Sequence, residues 1–88
     1  MITSIERKFV EIYTKKHPNA QENTIFALIE SKLIDFRTCK IALIRHFVDD
    51  CVKKGCGKRE AMRLVANDMA CSYEYVKKAM YYFNDINI

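Results

Sequence analysis

The sequence predicts an all-α protein, a bundle of five helices, and three observations carry that expectation. Apolar residues recur every three to four positions along most of the 88-residue chain, the period of helices that bury one face. The two glycines and the one proline fall between those stretches, as breaks between helices do. Half of the residues are apolar and 30% are charged, a balance that disordered chains lack and that can fill one core. One domain over residues 1–88 is expected, made of an N-terminal helical pair (1–34) and a three-helix unit (35–83).

The first helix follows from Ile5, Phe9, Ile12 and Tyr13, which share a helical face, with Thr3 or Ser4 as its N-cap and His17-Pro18 as its end. A second, over about residues 20–32, carries Ile25, Phe26, Leu28, Ile29 and Leu33; Asn19 followed by Glu22 reads as its capping box. Asp35 is the expected N-cap of a third helix, residues 36–54. Its Phe36, Leu43, Ile44, Phe47, Val48, Cys51 and Val52 cover more than a narrow stripe, so it should be central. Lys53 and Lys54 suit the dipole at its end, and Gly55 can take the left-handed conformation that closes a helix. A fourth helix is expected from Lys58 to Met69, burying Ala61, Met62, Val65, Ala66 and Met69. Ser72 then caps a fifth, with Val76, Ala79, Met80 and Phe83 inward and Asn84-Asp85 at its end.

The segment from Arg63 to Ala79 is the informative one. Ala66 is followed four residues on by Ala70, then Cys71, Ser72 and, four residues after that cap, Val76. A small residue where two helices cross, a turn, a hydroxyl cap and a buried β-branched anchor encode one geometry. In this spacing the segment resembles the helix-turn-helix DNA-binding superfamily. Two places depart from the pattern: Ala70 stands where glycine is usual, which costs energy in a left-handed turn, and Cys71 stands where an aliphatic residue is usual, a mild change. The resemblance covers about residues 35–83 and has the general look of small bacterial or phage regulators of the Trp-repressor or Mor-activator kind. It implies a five-helix orthogonal bundle with a C-terminal helix-turn-helix, binding double-stranded DNA in a sequence-specific way.

Under that resemblance the last helix enters the major groove and turns Ser72, Tyr73, Glu74, Lys77 and Lys78 toward the bases. Lys77 or Lys78 can donate to guanine, Glu74 can accept from cytosine, and Tyr73 can meet a thymine methyl or a phosphate. Lys53, Lys54, Lys58, Arg59 and Arg63, opposed in sequence only by Glu60, are expected to contact phosphates, with Tyr81 one turn beyond Lys77 and Lys78. The net charge of +4 and isoelectric point near 8.9 agree with an anionic partner without demanding one. A lone module reads a short site, so a homodimer is expected, with the Ile5, Phe9, Ile12 and Tyr13 face as one contact.

Other chemistries are less well served. Cys51 and Cys56 are too widely spaced for a usual zinc pair, and Cys39, Cys71, His17 and His46 are scattered. His46 and Asp50 share a helical face beside Cys51, a pairing more often found as a surface hydrogen bond than as a catalytic dyad. Gly55-Cys56-Gly57-Lys58 lacks the spacing and the hydroxyl residue of a phosphate loop. The expectation is therefore no enzyme, no cofactor, no metal and no small-molecule substrate. No membrane span or signal-peptide apolar region is visible, so a cytoplasmic, nucleoid-associated protein with reduced thiols is expected. The alternative is a protein-interaction module without DNA binding, docking through the tyrosine-rich last helix, where Tyr73, Tyr75, Tyr81 and Tyr82 crowd together and Tyr75 and Tyr82 can instead finish the core.

Overall fold

The computed structural model describes residues 3–83, 85 and 86. Among them the chain forms five α-helices and no strand: α1 (Ser4–Lys16), α2 (Glu22–Glu30), α3 (Phe36–Lys53), α4 (Lys58–Asp68) and α5 (Tyr73–Tyr81). It divides into two compact units, Met1–Leu43 and Ile44–Ile88, with the boundary inside α3. No helix among the described residues is long and apolar enough to cross a membrane.

In the first unit α1 and α2 pack together. A complete capping box starts α1: the Thr3 hydroxyl accepts from the Glu6 N–H at 3.2 Å, and Glu6 Oε1 accepts from the Thr3 N–H at 3.0 Å. Thr3 rather than Ser4 is the cap because only Thr3 has a glutamate at the third helical position. Phe9 and Val10 are buried, whereas Ile5, Ile12 and Tyr13 are half-buried. Phe9 is therefore committed inside the chain, and the expected dimer face is not free as a whole.

The capping box expected at Asn19 and Glu22 does not form. The cap of α2 is Gln21, with no side-chain hydrogen bond. The reason lies one step upstream, where the Ala20 N–H donates to the His17 carbonyl at 2.9 Å and places Pro18 and Asn19 inside a turn. Glu22 is then the first helical residue, too early to reach back. At its other end α2 stops two residues sooner than expected. Lys32 takes a left-handed φ of 68°, and the N–H groups of Lys32 and Leu33 donate to the carbonyls of Ile29 and Leu28, both at 3.0 Å. This is a Schellman turn, and it carries Leu33 out of the apolar face to 76% exposure.

Asp35 Oδ1 accepts from the Thr38 N–H at 2.8 Å, the bond expected of the residue capping α3. Burial along α3 is concentrated mid-helix at Cys39, Ile41, Ala42, Leu43, Ile44 and Val48. Phe36 and Val52 remain 44% and 39% exposed, so the apolar surface is narrower at the ends than the sequence implies. Gly55, at φ 106°, closes α3 in a second Schellman turn, with Gly55 donating to Val52 at 3.0 Å and Cys56 to Cys51 at 3.1 Å.

The second unit contains α4 and α5, which pack on each other. Ala61, Met62, Val65 and Ala66 form the buried stripe of α4, spaced for one helical face. Met69 is the C-cap rather than the last helical residue, and it is half-buried. Val76 and Ala79 are the buried positions of α5, while Met80 and Phe83 are half-buried. Asn84, part of the expected end signal, lies outside the described residues.

Candidate nucleic-acid interface

The connection between α4 and α5 begins at a strained residue. Ala70 has φ 53°, a left-handed conformation that costs a non-glycine residue roughly 1–2 kcal/mol. It is held by a third Schellman turn: the Ala70 N–H donates to the Asn67 carbonyl at 3.2 Å and the Cys71 N–H to the Ala66 carbonyl at 3.0 Å. The chain becomes extended at Ser72, whose hydroxyl accepts from the Tyr75 N–H at 3.0 Å, satisfying a donor that the first turn of α5 leaves open.

This hairpin brings part of the expected site together. Arg59, Glu60 and Arg63 of α4 and Tyr73 and Lys77 of α5 line one open groove. Arg63 is tied to Glu60 by a forked pair, its Nε–H donating at 3.0 Å to one carboxylate oxygen and its Nη2 to the other. The hydrogen bonds and charge of the guanidinium hold the Glu60 carboxyl below its ordinary range. The groove thus carries three cations against one carboxylate. Arg59, Lys77 and Lys78 make no ion pair among the described residues.

The other expected residues are arranged around that groove or apart from it. Glu74 and Lys78 are exposed on α5. Tyr81 is 46% exposed, with the Lys58 ammonium 5.2 Å from its ring centroid, within cation–π reach. Lys53 is exposed in the last turn of α3. Lys54, just beyond it, pairs with Asp50 at 3.0 Å, which depresses the Asp50 carboxyl through a hydrogen bond and raises the Lys54 ammonium. Tyr75 is half-buried with its ring edge-on to Phe83, whereas Tyr82 is 66% exposed.

Arg45 was not among the expected functional residues, yet it organises the end of α5. Its guanidinium donates to the carbonyls of Ala79 and Phe83, both at 2.7 Å, and to that of Ile86. The last carbonyls of a helix have no partner within it, and a cation there also suits the helix dipole. The signal in the sequence was a charge in the midst of Ile41, Ala42, Leu43, Ile44, Phe47 and Val48, on the same face as Ile41 and Val48.

The cysteines are free thiols. Burial, with smaller contributions from Glu6 and Asp35, pushes the Cys39 thiol up to about 12. Among the described residues no group of three or more His, Cys, Asp or Glu side chains could hold a metal ion. Comparison of the chain with protein-family models, with curated proteins and with solved structures found no match in any of the three.

Proposed function

We propose that the second unit binds double-stranded DNA as a helix-turn-helix, with α5 presented to the major groove and the basic residues of α4 presented to phosphates. The observation that carries this proposal is the groove in which Arg59 and Arg63 of one helix meet Tyr73 and Lys77 of the next. A duplex carries paired rows of phosphates, and cations from two helices on one surface suit it better than the same charges dispersed. The turn supports the same reading. Buried Ala66, left-handed Ala70, capping Ser72 and buried Val76 follow one another in the order that the superfamily pattern requires. In this arrangement α5 keeps Ser72, Tyr73, Glu74, Lys77 and Lys78 for base edges, while Lys53, Lys54, Lys58 and Tyr81 extend the backbone contact.

Such a module acts by binding rather than turnover, as a transcriptional regulator or accessory factor of a bacterium, phage or mobile element. Two copies reading half-sites about one helical turn apart give the affinity that one short site lacks. The test is a titration of labelled random-sequence duplex with the purified chain at several salt concentrations. Affinity that falls steeply with salt is expected, and absence of binding at low salt overturns the proposal.

One observation favours a different reading. Tyr81 and Tyr82, adjacent at the end of α5, are 46% and 66% exposed, and exposed aromatic groups of this kind serve protein interfaces. Replacing Lys77 and Lys78 by Ala weakens duplex binding under the DNA reading, and leaves partner binding intact if the tyrosines are the docking surface.

A further inference from the structure

The turn between α3 and α4 joins the backbones of two cysteines that the DNA reading does not use. In a Schellman turn the third residue from the helix end and the second beyond its cap face one another, commonly as an apolar contact. In the turn after α2 those places hold Leu28 and Leu33, and after α4 they hold Ala66 and Cys71. After α3 they hold Cys51 and Cys56, whose backbones are joined by the Cys56 N–H to Cys51 carbonyl bond at 3.1 Å. That bond brings the two backbones together across the turn, and a disulfide needs Cα atoms roughly 4.4–6.8 Å apart. Both thiols are free and partly exposed.

We infer that Cys51 and Cys56 are a redox-active pair that closes to an intramolecular disulfide across the α3–α4 turn, by exchange with a low-molecular-weight disulfide. One cysteine loses its proton to solvent, and its thiolate attacks the reagent. The reagent's S–S bond breaks, one thiolate leaves with the electron pair, and a mixed disulfide remains on the protein. The second cysteine, likewise deprotonated, attacks the protein-side sulfur and expels the other thiolate. The protein is oxidised by two electrons, and the reagent is reduced to two thiols. The product staples the left-handed Gly55 turn from which α4 starts. Cys39, buried and with its thiol proton held far above neutral pH, stays out of the exchange. The inference does not depend on what the α4–α5 groove binds.

The whole chain, incubated with oxidised glutathione at mildly alkaline pH, acid-quenched and alkylated, is digested with trypsin without reduction. Cleavage after Arg45, Lys53, Lys54 and Lys58 puts Cys51 in peptide 46–53 and Cys56 in peptide 55–58. The expected product is these two peptides joined by a disulfide, with Cys39 recovered alkylated. Two separate glutathione adducts, or either cysteine joined to Cys71, overturn the inference. The single variants Cys51→Ser and Cys56→Ser should each retain glutathione on the remaining thiol. Closure should be about ten-fold or more faster in the native chain than in concentrated urea, because the turn holds the thiols in place; equal rates also overturn it.

Discussion

The Arg45 Nε–H donates to the Ala79 carbonyl at 2.7 Å, so a side chain of α3 satisfies a carbonyl in the last turn of α5. Two further bonds from the same guanidinium, to Phe83 and Ile86, extend that hold over the segment that follows. Hydrogen bonds from a charged donor contribute about 1.5–3 kcal/mol each and are not additive. Arg45→Met should therefore destabilise the chain by about 3 kcal/mol in urea unfolding. Arg45→Lys, which keeps the charge but not the planar fork, should fall between the two.

Ala70 occupies a left-handed conformation without glycine's freedom. Ala70→Gly should raise stability by about 0.5–1 kcal/mol, the relief of strain exceeding the added unfolded-state entropy. Ala70→Val should lower it, since a β-branched residue tolerates positive φ still less. Thermal unfolding of the three proteins should give the stability order Gly, Ala, Val.

Ser72 has two separable roles, as a cap and as a surface group at the start of α5. Ser72→Ala should cost about 1 kcal/mol through loss of the cap. Ser72→Asp restores a capping oxygen and suits the helix dipole but adds negative charge beside Tyr73 and Lys77. It should keep stability near that of the parent while weakening duplex binding, measured on the same preparations.

In the groove, Arg63 is partly neutralised by Glu60. Glu60→Gln should strengthen duplex binding a few-fold at low salt, with the gain shrinking as salt rises. Lys77→Ala should weaken binding and, if Lys77 meets a phosphate, reduce the slope of log affinity against log salt by about 0.9.

Asp35 supplies a pH-dependent increment. Hydrogen bonds from the Thr38 side chain and then its backbone N–H hold the carboxyl below its ordinary value. A folded-state pKa below the unfolded one contributes stability that is fully present above the unfolded value, about 3.9, and is lost as pH falls through the folded value. Asp35→Asn, which can still cap, should remove this component of acid destabilisation. Urea midpoints followed from pH 6 downward should converge for the two proteins at low pH.

What the sequence by itself determined is what acts within about one helical turn. Thr3, Asp35, Gly55 and Ser72 were legible because a cap or a left-handed stop is decided by residues three or four positions apart, and Ala66 to Val76 because their spacing is local. Asn19 misled because a turn bond from Ala20 to His17 used the residue before a cap could form. Tertiary structure decided the remainder. It left Phe36 and Val52 partly exposed, turned Arg45 toward carbonyls more than thirty positions away, and drew Arg59 and Arg63 to the same groove as Tyr73 and Lys77. Periodicity records which residues share a face of one helix; which of those faces meet, and where a long side chain finds its partner, depends on packing between segments distant in the chain.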